Sequence, residues 1–273
     1  MKFLETELID SLSQVSKLAT ESGALETAPT LIQPINEQGI PFQVRVLNGF
    51  RKKKKGYSIS KNPFLPYEKS LYVKHLNSGH VILLNKYNLV PNHFLIVTPV
   101  FESQESLLTL NEFTALADIH SQLDLLSFYN SGRQAGASQP HRHLQALPLD
   151  KLPIDGIMAS IPSYQPEQLL QLPFKHLACK LDLKSDDAGY LFSLYQQMLS
   201  TLSLITSGQE NPAPYNLLMT RQWMLVVPRS EGRPDGVAIN ALGYAGFMLA
   251  KNQQQFNHIK TAGILNLLTK ASR

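Results

Sequence analysis

The chain has 273 residues, with a hydrophobic fraction of 43% and a charged fraction of 17%, values typical of a globular protein that buries a proper core. No apolar run reaches the roughly 18 residues of a membrane span, and the N-terminal segment lacks a signal-peptide core. The single cysteine, Cys179, excludes an intramolecular disulfide framework and a cysteine-rich zinc site. We therefore expect a cytoplasmic protein with no membrane partner.

Much of the net charge of +4 comes from one basic run at residues 51–55, one arginine followed by four lysines. Such a run can be a solvated loop, a nucleic-acid contact or a clamp for a polyanionic small molecule, and composition does not choose among these. The rest of the chain lacks the spread of basic residues expected of a dedicated DNA-binding protein. We expect no nucleic-acid partner.

In chain order, the patterning predicts a helix over residues 3–22 that stops at Gly23, a strand at 41–47, and an ordered but irregular, proline-rich stretch at 61–67. The later predicted elements are a hairpin of strands at 81–84 and 94–97, a helix at 111–125, strands at 125–129 and 141–147, a strand at 174–181, a helix at 190–206 and a hairpin at 215–220 and 223–227. A segment rich in small residues at 240–246 then leads into helical material through about residue 270. No repeat or linker divides the chain. We expect one domain over residues 1–273, of α+β class, with a mostly antiparallel sheet and flanking helices.

Three polar side chains alternate with apolar ones in residues 141–147 (HRHLQAL). On a strand, His141, His143 and Gln145 would project from one face at intervals of about 6.6 Å. Because polar groups are costly to bury without partners, we expect that face to border solvent or a site. The preceding loop, residues 136–139 (GASQ), is mostly small and lets backbone N–H groups approach an anion.

Three hypotheses fit these histidines. They could lie on a solvent-exposed strand without a role. They could bind zinc, which would require a third protein ligand, and no other histidine stands in a recognisable pair with them. They could serve covalent catalysis, in which a neutral imidazole attacks phosphorus and divides one difficult transfer into two easier steps.

Further segments, taken with this motif, resemble a known family. His141-x-His143-x-Gln145 resembles the histidine-triad superfamily in the form where glutamine replaces the last histidine, which is the transferase branch. Five further segments resemble segments of the ATP adenylyltransferases (diadenosine tetraphosphate phosphorylases) and occur in the same order along the chain. They are residues 83–98, 128–139, 215–217, 223–230 and 240–246. The resemblance extends from about residue 41 to residue 251 and implies a histidine-triad-like fold.

The resemblance implies that His143 takes AMP from diadenosine tetraphosphate and passes it to phosphate, giving ATP and ADP reversibly, with His141 and Gln145 as its catalytic neighbours. It implies nucleotide substrates, no resident cofactor or metal, and a monomer or dimer. A divalent cation, Mg²⁺ or Mn²⁺, could accompany the polyphosphate. The implied substrate contacts are Lys53, Asn85, Lys86, Asn130, Gly136, Ala137, Ser138, Gln139, Gln145, Asn240, Ala241, Leu242, Phe247 and Lys251.

Two other functions remain open. A hexose-1-phosphate uridylyltransferase-like enzyme would share the H-x-H-x-Q pattern, although Arg142 between the histidines and the lack of a cysteine pair argue against it. A non-catalytic nucleotide-binding protein could use the basic run alone. Outside the motif, Arg229 is a candidate for a phosphate contact or a structural salt bridge, and His93 is interpreted as a packed residue at the start of a buried strand.

Overall fold

The computed structural model describes residues 5–48, 62–149, 151–182, 187–206 and 211–272. The strands are β1 (Thr30–Glu37), β2 (Ile40–Leu47), β3 (Tyr72–His75), β4 (Val81–Leu84), β5 (Phe94–Val97), β6 (Leu126–Asn130), β7 (His143–Leu147), β8 (Leu177–Lys180), β9 (Tyr215–Met219), β10 (Trp223–Pro228) and β11 (Phe247–Ala250). The α-helices are α1 (Glu5–Glu21), α2 (Leu110–Gln122), α3 (Asp155–Met158), α4 (Ala188–Thr201), α5 (Ala241–Tyr244), α6 (Gln253–Ala262) and α7 (Ile264–Ala271). No helix within these ranges is long and apolar enough to cross a bilayer.

Several elements form where the patterning predicts them. The two apolar runs of β4 and β5 pair as an antiparallel hairpin with Ile82 opposite Ile96. Helix α1 ends just before Gly23, whose φ of 73° a glycine adopts at little cost. Helix α2 begins at a capping box, where the Glu112 carboxylate accepts from the Thr109 backbone N–H at 2.6 Å, and it ends three residues earlier than predicted.

The main sheet of the described residues has eight strands in the order β3-β4-β5-β7-β6-β9-β10-β8, and every neighbouring pair is antiparallel. One face packs under α1, α2 and α4 in the largest apolar cluster. These observations confirm the predicted α+β class with a mostly antiparallel sheet and flanking helices. The sheet joins both halves of the chain, because β6 pairs with β9 at its centre.

A second sheet has the order β1-β2-β11, with β11 parallel to β2. It packs with α6 and α7 on the other face of the main sheet. The sequence prediction missed β1, because Pro34 and several polar residues interrupt its pattern. Proline is tolerated there since β1 lies at the edge of its sheet.

The predicted strand at 141–147 is wrong at its first two residues. β7 begins at His143, and His141 makes only an isolated bridge with Ser103. The chain is held differently there because the Arg142 N–H donates to the carbonyl of Glu102, a residue of the loop that follows β5.

Candidate active site

β7 divides its side chains between the two faces of the main sheet, as the alternation predicts. Leu144 and Ala146 lie in the apolar cluster under the helices. His143 and Gln145 stand opposite Val97 and Leu95 of β5 and face the other side. The central strand of the sheet therefore presents the two polar side chains of the motif together.

Aromatic rings cover the two histidines. The Phe64 ring centroid lies 5.5 Å from that of His141 and 5.2 Å from that of His143, and the Phe101 ring lies 5.6 Å from His141. His141 is fully buried, His143 is 4% exposed and Gln145 is half-buried. Of the two alternatives expected for this face, solvent does not fit the two imidazoles, which leaves a site. Their burial is tolerated because polar partners hold both ring nitrogens of His141 and the Nδ1 of His143.

One hydrogen bond decides the tautomer of His143. Its Nδ1 lies 2.8 Å from the carbonyl oxygen of His141, which can only accept, so Nδ1 carries the proton. Among the described residues Nε2 has no hydrogen-bond partner and keeps its lone pair. Burial lowers the pKa of His143 to about 4, so the imidazole is neutral at pH 7. A neutral ring with a bare Nε2 is the form that can attack phosphorus.

His141 contributes its backbone carbonyl to this arrangement, and its own ring is fully engaged. Its Nε2 donates to the Thr98 carbonyl at 3.0 Å, and its Nδ1 lies 2.9 Å from the amide nitrogen of Asn62. Burial also lowers the pKa of His141. Because both ring nitrogens are held, His141 places the carbonyl that orients His143.

Gln104 holds the backbone of His143, a contact that no pattern in the sequence predicts. Its amide oxygen accepts from the His143 N–H at 2.8 Å, and its amide nitrogen donates to the carbonyls of His143 (3.1 Å) and Asn130 (2.9 Å). The side chain thus stands where a neighbouring strand would otherwise pair with the start of β7. A lone glutamine in a loop has no periodicity that would reveal this.

Asn130 at the end of β6 meets a distant segment of the predicted site. Its Oδ1 accepts from the Ala241 backbone N–H at 2.9 Å and from the Asn216 amide at 2.8 Å. Its amino nitrogen is buried and has no hydrogen-bond partner in the described part of the chain. A buried unsatisfied donor costs about 1–3 kcal/mol, so this amino group is suited to donate to a ligand oxygen.

The loop of residues 136–139 packs on the loop that precedes α5. Gly136 has a φ of 96°, and a Cβ placed there would lie 2.6 Å from the Ile239 carbonyl oxygen and 2.6 Å from the Asn240 Cβ. Asn240 caps α5 by accepting from the Leu242 N–H at 3.0 Å. The structure therefore brings together Gly136, Asn240 and Ala241, which are far apart in sequence.

Gly136→Ala is expected to lower the free energy of unfolding by about 3 kcal/mol, because both the positive φ and the collision oppose the side chain. Urea unfolding measures the loss. Gly79→Ala is the matched control: its φ of 84° is similar, but no described atom lies within 4 Å of the added Cβ. That variant should lose only about 1 kcal/mol. Equal losses of stability in the two variants would mean that the close packing of the two loops does not contribute to the effect of Gly136→Ala.

Other predicted substrate contacts lie in the loop after Gly136 and in the turn after β4. Ala137, Ser138 and Gln139 continue the loop, with Ser138 exposed. The Asn85 amide faces His93, and the Lys86 ammonium pairs with Glu68 at 2.6 Å.

Lys53 lies outside the described residues. Phe247 lies on β11 and Lys251 follows it, both in the three-stranded sheet. Within the described ranges, neither is joined to His143 by a hydrogen bond or ring contact.

Protein acceptors engage the Arg229 guanidinium throughout, and it forms no salt bridge within the described ranges. Its fully buried guanidinium donates to the Asn216 Oδ1 at 2.6 Å and to backbone carbonyls, and to no carboxylate within the described ranges. The carbonyls are those of Ala135, Glu231, Ile239 and Ala271. Because Ala135 and Ile239 directly precede Gly136 and Asn240, this side chain ties the two site loops together.

Two surface cavities, of about 530 and 210 Å³, lie at the far end of β7. Both are lined by Asp124 and Leu149, and neither is lined by the motif residues. Within the described residues no group of three His, Cys, Asp or Glu side chains could hold a metal ion.

Comparison with known proteins identifies the family. A family model described as the Ap4A phosphorylase N-terminal domain matches residues 1–162, and one described as the ATP adenylyltransferase C-terminal domain matches residues 170–273. Diadenosine 5',5'''-P1,P4-tetraphosphate phosphorylase 2 of Saccharomyces cerevisiae is 29% identical over 235 residues, which are 74% of this chain and 72% of that protein.

Solved structures agree with this match. The crystal structure of yeast Ap4A phosphorylase Apa2 in complex with AMP superimposes with a TM-score of 0.82 at 26% identity and covers 97% of both chains. The structure of Apa2 in complex with Ap4A has the same TM-score and coverage at 24% identity and supports the fold. The predicted histidine-triad-like fold and the predicted family are confirmed, and the chain belongs to the Ap4A phosphorylase (ATP adenylyltransferase) family.

Proposed function

We propose that this chain catalyses the reversible phosphorolysis of diadenosine tetraphosphate, in which phosphate is consumed and ATP and ADP are formed. Membership of the Ap4A phosphorylase family supports this reaction. The observation that carries the mechanism is the neutral His143 imidazole, whose Nδ1 proton is held by the His141 carbonyl.

In the first step, the lone pair on His143 Nε2 attacks the α-phosphorus of the substrate. A P–N bond forms, and the bond from phosphorus to the bridging oxygen breaks, so that ATP leaves as an anion that needs no proton. The imidazole keeps its Nδ1 proton and becomes positively charged. The hydrogen bond to the His141 carbonyl favours this charge, which is why the burial of a neutral base does not prevent the attack.

In the second step, an oxygen of inorganic phosphate attacks the same phosphorus. The P–N bond breaks, its electron pair returns to Nε2, and ADP is released together with one proton to solvent. The enzyme is restored with His143 neutral. The reverse direction starts with ADP as the adenylyl donor and ends with ATP as the acceptor.

Neutral donors and mobile cations would bind the phosphates. The amino groups of Asn130 and Gln145, which have no partner in the described ranges, suit the oxygens of the α-phosphate. The backbone N–H groups of Gly136 and Ala137 already donate to the carbonyls of Arg133 and Gly132, so within this loop those of Ser138 and Gln139 suit the next phosphate. Lys53, Lys86 and Lys251 would follow the charge of the tetraphosphate, and Lys86 would exchange its partner Glu68 for substrate.

The other residues implied by the resemblance belong to the same proposal. Asn240, Ala241, Leu242 and Phe247 would contact the nucleoside, and Mg²⁺ or Mn²⁺ would arrive with the polyphosphate. We also propose that residues 1–273 act as one domain in the cytoplasm, as a monomer or dimer, on free nucleotides and without nucleic acid. The pairing of β6 with β9 across the two matched segments supports the single domain.

Isotopic labelling of the phosphate tests the reaction. The protein is incubated with diadenosine tetraphosphate and ³²P-phosphate, and the products are separated. Equal amounts of ATP and ADP are expected, with the label in the β-phosphate of ADP and none in ATP. Turnover of sugar nucleotides alone would favour the uridylyltransferase-like alternative, and nucleotide binding without turnover would favour a non-catalytic protein.

The protein should lose stability in mildly acidic solution. Burial lowers the pKa of His93 and His143 to about 4 and that of His120 to about 3, from a usual value of 6.5. Below pH 6.5 the unfolded chain binds protons that the folded chain excludes, so stability falls as the pH drops towards 4. Each of these histidines should lower the free energy of unfolding by about 2 kcal/mol between pH 7 and pH 5.

Urea unfolding at several pH values measures this dependence. His120→Gln removes one of these histidines, one that lies away from the motif, so this variant should lose about 2 kcal/mol less stability than the wild type between pH 7 and pH 5. A wild-type stability that stays level from pH 7 to pH 5 would contradict the burial of these imidazoles in their neutral form.

A further inference from the structure

A chain of hydrogen bonds leads from the turn after β4 to the amide of Gln145. The Asn85 Oδ1 accepts from the Tyr87 N–H at 3.4 Å, and the Asn85 amino nitrogen lies 3.2 Å from the His93 Nδ1. The His93 Nε2 lies 3.0 Å from the Gln145 Oε1. The proposed mechanism uses Gln145 but gives no role to His93 or to the direction of this chain.

The chemistry of the groups determines the direction of every bond. An amide oxygen can only accept, so the His93 Nε2, which lies 3.0 Å from the Gln145 Oε1, carries the proton of the neutral ring and donates it. Nδ1 therefore carries no proton and accepts from the Asn85 amino group. The Asn85 nitrogen also lies 3.4 Å from Nε2, but the proton on Nε2 leaves Nδ1 as the acceptor.

The end of the chain is the amino group of Gln145. Because Oε1 is engaged by His93, the amino group points away from His93, and it has no partner among the described residues. Gln145 stands two residues beyond His143 on the same face of β7, a separation of about 6.6 Å along a strand. A donor at that position can reach the oxygens of a phosphate that is bonded to His143.

We infer that His93 is a positioning residue for adenylyl transfer, and that it holds the Gln145 amide with its amino group turned towards the substrate phosphate. This inference rests on the proposed function and adds to it. Without the bond from His93, the amide could turn over and present its oxygen to the phosphate oxygens, which would repel it. The positioned donor stabilises the charge that develops on the phosphoryl oxygens.

The surroundings of His93 suit this task. The ring is buried and packs against Phe128 with 6.0 Å between ring centroids, which limits its rotation. Burial lowers the pKa of His93 to about 4, so the ring stays a neutral donor across the physiological range. Any buried imidazole needs partners for its ring nitrogens, and His93 differs from other buried histidines because one of its partners is Gln145 of the motif.

Three substitutions separate positioning from packing. His93→Phe keeps a ring against Phe128 but removes both hydrogen bonds. His93→Gln keeps an acceptor for Asn85 and a donor for Gln145. Gln145→Leu removes the amide on which His93 acts. His176→Phe is the matched control, because His176 is also a buried histidine with two hydrogen bonds, to Leu169 and Phe174, outside the motif.

We expect His93→Phe to lower kcat for diadenosine tetraphosphate about tenfold while KM changes less than twofold, and Gln145→Leu to lower kcat about a hundredfold. His93→Gln should recover most of the loss, and His176→Phe should keep the wild-type kcat. In the Gln145→Leu background, His93→Phe should have no further effect. In ¹⁵N-histidine NMR spectra, the wild-type His93 should carry its proton on Nε2.

Other outcomes would overturn the inference. The same tenfold loss in the Gln145→Leu background would show that His93 acts elsewhere, and a His93→Gln variant as slow as His93→Phe would indicate packing alone. If His93→Phe does not fold, the test is made with His93→Gln: a folded His93→Gln variant with a kcat near that of the wild type supports the inference, and a folded variant with a tenfold lower kcat contradicts it. A proton on Nδ1 in the NMR spectrum would exclude the chain of bonds whatever the activity, whereas an inactive wild type with the proton on Nε2 would refute the proposed reaction instead.

Discussion

Replacement of His143 by alanine is expected to reduce the phosphorolysis of diadenosine tetraphosphate by about 10⁴-fold or more, because the variant has no nucleophile to carry the adenylyl group. The substitution removes Nε2, the atom that has no partner in the described structure, and leaves the His141 carbonyl and Gln145 in place. The rate of ATP and ADP formation measures the loss. A mass spectrum after brief exposure to substrate should show one added AMP on the wild type and none on the variant.

The control for this variant is a histidine of similar burial outside the motif. His120 is buried on α2 and bonds to Ser127, so His120→Ala removes a comparable ring and should leave turnover near normal. Urea unfolding of both variants shows whether they remain folded. Turnover by folded His143→Ala at more than a tenth of the wild-type rate would eliminate the covalent mechanism.

Replacement of Arg229 by leucine is expected to lower the free energy of unfolding by about 4 kcal/mol or more, because it leaves buried acceptors without donors. The guanidinium bonds to four backbone carbonyls and to Asn216, and leucine can satisfy none of them. Urea unfolding measures the loss. The free energy of unfolding of Arg229→Lys should lie between those of the wild type and Arg229→Leu, because one ammonium group cannot reach all five acceptors.

Arg221→Leu provides the comparison. Arg221 is partly exposed, pairs with Asp124 at 3.1 Å and donates to one backbone carbonyl, that of His120, so its loss should cost about 1–2 kcal/mol. If the two leucine variants were equally stable, Arg229 would not be the residue that holds the loops of Gly136 and Asn240 together.

The sequence predicted the sheet best where strands are short and wholly apolar. β4 and β5 match their predicted bounds, because a fully buried strand shows as a continuous apolar run with turn residues on both sides. Alternation likewise assigned His143 and Gln145 to one face of β7. β1 was missed because an edge strand with a proline and polar residues lacks both signals.

The burial of the histidines could not be predicted from the sequence, because it depends on contacts between distant segments. Phe64 lies 79 residues before His143, and nothing in either segment indicates that their rings meet. The same holds for Gln104 and Asn216, single polar residues whose partners are set by tertiary structure. Arg229 followed a predicted strand, but the carbonyls that surround it come from four separate segments.

The sequence likewise indicated the roles of some polar side chains of the site and not of others. The motif and the resemblance pointed to His143, Gln145 and Asn130 as site residues, and those roles remain predictions. His93 was interpreted as a packed residue, since a histidine at the start of an apolar run has no distinctive spacing. Only the distances to Asn85 and Gln145 indicate that its ring has an orienting role.

The pairing of β6 with β9 has a consequence for biosynthesis. β7 lies next to β6, and β6 gains its second neighbour from a segment about 85 residues later in the chain. While the nascent chain is still emerging from the ribosome, β6 therefore has an open edge that any other unfinished polypeptide could extend. The sheet is complete only after the C-terminal half has been synthesised, so the growing chain passes through a stage in which this open edge favours aggregation.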